Sequence, residues 1–165
     1  MAKIVADSSA LILLAKCGLL DVLCRAHQVL VPSSVVAEVA SEELVEKYPD
    51  AALIADLIAS EQMAIQEPEE FGVQLRVALD QGETDAILLA RELQEVVLAT
   101  DDRKAIRTAR FLNIPFIITP RIVIDLFKAN QVPVEDARKA IEKLKVFGRY
   151  SRDIIADALL SLTED

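Results

Sequence analysis

Six carboxylates carry the chemistry available to this 165-residue sequence. Asp7 follows a short apolar run, Ile4–Ala6, and Asp101 and Asp102 follow another, Val96–Ala99. Glu83 and Asp85 stand just after Gly82 at the head of a helical pattern, and Glu38 interrupts the otherwise apolar Val35-Val36-Ala37-Glu38-Val39-Ala40. Acids gathered in one place repel and raise one another's pKa unless a cation neutralises them, which a divalent ion does. His27 is the only histidine and lies far from these acids in sequence, which argues against a histidine-paired nuclease or a Ser/His/Asp hydrolase. There is no Gly-rich phosphate loop and no Cys/His cluster with zinc spacing. An all-oxygen donor set selects hard cations, Mg²⁺ or Mn²⁺. Such an ion can engage a phosphate oxygen and deliver an activated water, the chemistry of metal-assisted phosphodiester hydrolysis. Each acid also has a use in the fold alone. Asp7 or Asp101 can cap a helix, worth about 1 kcal/mol, and Glu83 or Asp85 can face a helix dipole.

The elements that must position these residues alternate. Short β-branched runs at Ile4–Ala6, Val29–Val31, Met63–Gln66, Val96–Ala99 and Phe116–Ile118 predict strands. Between them lie helical patterns at Ala10–Lys16, closed by Gly18, then Leu19–Ala26, Val35–Val45 opened by Pro32 and Ser33, and Pro49–Ser60. Further patterns cover Glu83–Leu93, Asp102–Leu112 and Arg121–Ala129, with an additional segment at Phe71–Leu79. Strands alternating with helices imply βαβ crossovers and a parallel sheet covered on both faces. Asp7 and the Asp101-Asp102 pair, each at the carboxyl end of a strand, then face the same edge, and function collects there near the reversal of strand order. The expected organisation is a compact α/β domain over residues 1–130 and a helical extension over 131–165. In the extension, Val134, Ala137, Ile141 and Leu144 form one apolar stripe, and Ile154, Ile155, Ala158, Leu159 and Leu162 another, which dock on the domain or on a second copy in a homodimer.

With 53% hydrophobic residues, 4 Gly and 6 Pro, the chain can build a packed core. The longest uncharged stretches, Ala26–Ala37 and Phe111–Pro120, contain Pro and fall short of the roughly 20 apolar residues that cross a bilayer, so no membrane association is expected. An early Asp7 spoils any secretory leader, which predicts a cytoplasmic protein. Cys17 and Cys24 read as small core residues. The net charge of −9 argues globally against a nucleic-acid partner, but its distribution reverses that. Residues 103–152 hold twelve basic against four acidic residues, a balance of +8, while the rest holds six against twenty-three, a balance of −17. Arg103, Arg107 and Arg110 recur at i, i+4 and i+7, one stripe on the helix that begins at Asp102, where phosphates can be guided without base specificity. The chain has no Trp, 5 Phe and 2 Tyr, so sequence-specific base reading is not expected.

Four segments in register resemble the PIN domain family of metal-dependent ribonucleases. They are Val5-Ala6-Asp7-Ser8-Ser9-Ala10-Leu11-Ile12, Pro32-x-x-Val35-x-x-Glu38-Val39, Gly82-Glu83-x-Asp85-Ala86-Ile87-x-Leu89-Ala90 and Ala99-Thr100-Asp101-Asp102. The similarity spans about residues 3–130, and Phe147-Gly148-Arg149-Tyr150-Ser151 before the last helix resembles a PIN-like subgroup often encoded beside an antitoxin. The resemblance implies a three-layer α/β/α sandwich with a parallel central sheet, Mg²⁺ or Mn²⁺ held by acids, and single-stranded RNA as substrate. By position, Asp7, Glu38, Asp85 and Asp102 match the four family acids, Ser8 matches the hydroxyl residue after the first, and Thr100 would orient the site. The doubled Asp101-Asp102 is expected to present Asp102 to the metal with Asp101 as the cap, and Glu83 is an extra acid beside Asp85. Residues two apart on a helix point to different faces, so one of Glu83 and Asp85 reaches the ion directly.

The resemblance further implies the toxin half of a toxin–antitoxin pair, whose antitoxin blocks the acidic site with a basic or amphipathic peptide. Two other classes compete: a non-catalytic PIN-like module that binds RNA or protein, and a phosphotransfer domain. A dehalogenase-type site wants a second Asp two residues after the first, where this chain has Ser9, and a receiver-type site wants a mid-chain Asp and a late Lys that do not stand out.

Overall fold

The computed structural model describes residues 2–69 and 79–163. The expected segment at Phe71–Leu79 therefore lies almost wholly outside the described residues. Five strands, β1 (Lys3–Ala6), β2 (Gln28–Val31), β3 (Met63–Ile65), β4 (Val96–Ala99) and β5 (Phe116–Ile117), form one all-parallel sheet in the order β3-β2-β1-β4-β5. Pairing Ala6 with Ala99 in register ends β1 and β4 side by side, at the place where the strand order reverses.

Alternation along the strands sorts the core into two layers. Ile4, Ala6, Val29, Val31 and Ala99 point to one face, against α1 (Ser8–Lys16), α2 (Leu20–Ala26), α3 (Ser33–Val39) and α5 (Pro49–Ala59). Val5, Leu30, Val96 and Leu98 point to the other, against α6 (Gln81–Glu92) and α7 (Arg103–Phe111). The result is the expected α/β/α sandwich. Gly18, at φ +81°, closes α1 in the left-handed conformation that glycine adopts without strain. Both cysteines are buried and free. His27 is half-buried, its Nδ1 accepting from the Ala2 amide at 3.0 Å.

One expected helix is two. The run Val35–Val45 ends α3 at Val39, and Ser41 opens α4 (Glu42–Lys47) by accepting from the Leu44 amide at 3.4 Å. Serine competes with the helical backbone for hydrogen bonds, so it starts a new helix more readily than it continues an old one. After β5, Ile118 opens α8 (Thr119–Lys128), with Pro120 in its first turn. The tail forms α9 (Val134–Phe147) and α10 (Arg152–Ser161), both packed on α8. Ala137, Ala140, Ile141, Leu144, Ile155, Ala158 and Leu162 are buried in the same core as β1 and α1, so the amphipathic stripes dock on the domain. Among the described residues, no helix is long and apolar enough to cross a membrane.

Candidate functional site

Asp7 ends β1 and caps α1, its Oδ1 accepting from the Ala10 amide at 3.0 Å and from Ser9 Oγ at 2.6 Å. Thr100 Oγ1, at the end of β4, donates to the other oxygen. Asp7 is 1% exposed, and burial pushes its pKa up to about 6, against the pull of those donors and with a smaller push from Asp101. Thr100 is fully buried, so it holds Asp7 in place and has no surface to offer a substrate.

Asp101 and Asp102 diverge, and the expected cap is exchanged. Asp102, not Asp101, caps α7, with Oδ2 accepting from the Ala105 amide at 2.9 Å while its own amide donates to Thr100 Oγ1 at 3.2 Å. Asp101 turns the other way. Its Oδ1 accepts from the Thr119 amide at 2.9 Å and from the Tyr150 hydroxyl, and its Oδ2 from Thr119 Oγ1 at 2.5 Å. The capping position is one residue later than expected because α7 begins at Arg103, which leaves Asp101 to satisfy the start of α8. Burial raises the Asp101 pKa, against three hydrogen bonds that lower it.

The other acids lie along the seam between α3 and α6. Glu38 is exposed and rests on the first turn of α6, its Oε1 accepting from the Gly82 amide at 3.2 Å and its Oε2 from Ser8 Oγ at 2.7 Å. A Cβ on residue 82 would stand 2.3 Å from that Oε1, so glycine here leaves room for the carboxylate. Asp85 accepts from Ser34 Oγ at 2.6 Å and from Gln81 Nε2 at 2.7 Å. Glu83 completes a capping box with Asp80, receiving the Asp80 amide at 3.1 Å and giving its own amide to Asp80 Oδ1 at 2.8 Å. Burial first, then the charges of Asp102, Asp80 and Asp7, push the Glu83 pKa up to about 7. Its carboxyl thus feels both strand-end acids.

The DUF3368 family model, described as a PIN domain, matches residues 3–165. The chain belongs to the PIN domain family. No curated protein matches it at a significant level. PIN domains are nuclease-type folds, and the family is typically dependent on divalent metal. The match runs through α9 and α10.

The residues around Asp7 fit such an ion by their chemistry. Asp7, Glu83 and Asp102 offer oxygen only, and the charges of Asp102 and Asp7 help to push up the Glu83 pKa, a strain that a hard dication relieves. Among the described residues, no three His, Cys, Asp or Glu side chains stand close enough to form a ready cage. The physical reason is visible in each carboxylate: Asp7, Glu38 and Asp85 are occupied by hydroxyl and amide donors from Thr100, Ser8, Gly82, Ser34 and Gln81. Mg²⁺ keeps several of its waters, so an open acidic edge of this kind suits it better than a closed cage would.

On α7 of the PIN domain, Arg103, Arg107 and Arg110 are exposed, as is Lys104, which the sequence stripe did not single out. Arg103, Lys104 and Arg107 form no ion pair with another described residue, and Arg110 lies over the Phe116 ring at 5.3 Å. Four hydroxyl residues were also missed as site partners: Ser9, Ser34, Thr119 and Tyr150. Each joins an acid that is distant in the chain or only locally oriented, so no spacing rule marks it. Ser9 and Tyr150 had a signal, their places in the quoted Val5–Ile12 and Phe147–Ser151 segments.

Proposed function

We propose that the chain is a divalent-metal-dependent endoribonuclease that hydrolyses phosphodiester bonds of single-stranded RNA, and that it is the toxin of a toxin–antitoxin pair. The observation that carries this is the buried Asp7 carboxyl at the reversal of strand order, whose charge, with that of Asp102, is felt by Glu83. Asp7, Asp102 and Glu83 would hold Mg²⁺ or Mn²⁺, with Glu38 and Asp85 completing the acidic edge from the α3–α6 seam. When bound, the ion polarises a phosphate oxygen and supplies an activated water. The protein's own residues do the rest. Thr100 and Ser9 fix the Asp7 carboxylate, Ser8 fixes Glu38, and Ser34 fixes Asp85. An acid of the edge that is not bound to the ion would accept the proton released during attack. Arg103, Arg107 and Arg110 guide the RNA backbone away from the acids along α7.

An antitoxin supplies a basic or amphipathic segment to the acidic edge, matching its negative charge. Val146, Phe147 and Leu160, exposed at 75%, 53% and 60%, provide apolar area on the tail for a homodimer. A second reading, a non-catalytic PIN-like module that binds RNA or protein, draws on the carboxylates being occupied by donors instead of gathered in a cage.

Cleavage of a labelled single-stranded RNA tests the proposal, with Mn²⁺ or Mg²⁺, with EDTA, and with Asp7→Asn from the same purification. Metal-dependent cleavage lost in both controls supports the nuclease. A folded protein that binds RNA but neither binds Mn²⁺ nor cleaves supports the module.

A further inference from the structure

We propose that Tyr150 is a positioning residue for the acidic edge. From the tail it holds Asp101 away from the site, and so fixes the β4–α7 corner that presents Thr100 and Asp102. The inference rests on the metal-site reading above and extends it to the regulation of that site's geometry by the C-terminal helices.

The corner is tied at both ends of one residue. The Asp101 amide donates to Ser9 Oγ at 2.9 Å, and that hydroxyl donates to Asp7 Oδ1 at 2.6 Å. The Asp101 side chain points to the opposite side, where the Tyr150 hydroxyl and the Thr119 amide and hydroxyl converge on it. Its neighbours on either side, Thr100 and Asp102, are linked by the bond from the Asp102 amide to Thr100 Oγ1, the hydroxyl that also binds Asp7. Restraining Asp101 therefore restrains the two residues that bracket it.

The seat of Tyr150 is built for it. Gly148 leaves space for the tyrosine ring, since a Cβ there would stand 2.1 Å from the ring and 2.9 Å from the Leu144 carbonyl oxygen. Its φ of −92° is open to any residue, so room, not backbone freedom, demands glycine. Ser151 follows at once and caps α10, accepting from the Ile154 amide at 3.2 Å. The ring packs on the main core beneath. A tyrosine needed only to anchor the tail would serve as well without its hydroxyl, whereas one that positions Asp101 would not.

Tyr150→Phe keeps the ring and removes the hydroxyl. Three quantities are compared with the full-length wild type: Mn²⁺ affinity by calorimetry, the thermal midpoint, and amide hydrogen exchange over residues 99–106 without metal. The expected result is a Mn²⁺ dissociation constant raised about tenfold, as for other outer partners of metal ligands. Faster exchange at the corner accompanies it. Leu162→Ala, which removes packing at the end of α10 far from Tyr150, lowers the midpoint and leaves affinity and corner exchange unchanged. Tyr150→Phe with wild-type affinity and wild-type corner exchange overturns the proposal and leaves Tyr150 a tail anchor. Should the wild type bind no Mn²⁺, the metal-site reading fails, and the exchange arm still decides whether Tyr150 holds the corner.

Discussion

The acids at the ends of β1 and β4 and the acids on the α3–α6 seam are held by opposite means. Asp7 is buried and Asp101 half-buried; burial raises both pKa values, and hydroxyl and amide donors, some from distant parts of the chain, hold each carboxyl in place. Glu38 is exposed and rests on a backbone amide beside a glycine, and Asp85 is bonded by two flexible polar side chains. Burial makes the strand-end group costly to ionise and therefore responsive to a cation. Exposure leaves the Glu38 carboxylate easy to displace. A site built this way concentrates electrostatic strain at one corner and adjusts its shape from the other side.

That contrast can be broken at its strongest point first. Asp7→Asn removes the buried charge while keeping an oxygen for the Ala10 amide, and cleavage is expected to fall by more than about 100-fold. The same change is expected to stabilise the metal-free fold at neutral pH. Asp7 has a folded pKa of about 6 against an ordinary 3.8, so the proton it holds favours the fold at low pH and that contribution is lost as pH rises through 6. At pH 7 its ionised form opposes folding by on the order of 2–3 kcal/mol, which the asparagine removes in part. Denaturant midpoints with EDTA, at pH 5 and pH 7.5, check the sign.

Gly82→Ala tests the seam. Its Cβ would press on the Glu38 carboxylate, the far end of a flexible side chain, so the fold gives way there at little cost. Mn²⁺ affinity, read by titration, is expected to fall about tenfold with a thermal midpoint close to wild type. Acidification should weaken metal binding more gently. Protons compete for Asp7 and Glu83, whose pKa values lie at about 6 and about 7, so affinity rises with pH across that interval. A titration series in Mn²⁺ at several pH values sharpens the assignment of the strand-end acids. The smallest effect belongs to α7. Arg107→Ala is expected to weaken RNA binding a few-fold and to reduce the slope of log affinity against log salt by about one, with the metal affinity unchanged.

Much of this was legible in the sequence because it depends on local pattern. Short β-branched runs gave the strands, and their alternation with helices gave a parallel sheet, since parallel strands require crossovers. Asp7 and Glu38 stood out because each sits where burial or an apolar surround asks a reason for a charge. Gly82 lay inside a quoted motif, and only the structure shows that its missing side chain makes space for Glu38. The break at Ser41 was hidden because the hydrophobic period runs through it, while capping wins over periodicity at one hydroxyl. The exchange of roles between Asp101 and Asp102 was hidden for a different reason. It is decided by Thr119 and Tyr150, eighteen and forty-nine residues away, and no local rule reports a hydrogen bond across that separation.

The account turns on whether the acids at the β1 and β4 ends bind a divalent ion. The most direct measurement is a crystal of the full chain soaked in Mn²⁺, with anomalous scattering collected to locate the metal. The expected result is a single strong peak within ligand distance of Asp7 and Asp102, absent from Asp7→Asn. Mn²⁺ bound only elsewhere on the surface, or not bound at all under conditions where the protein is folded, would contradict it.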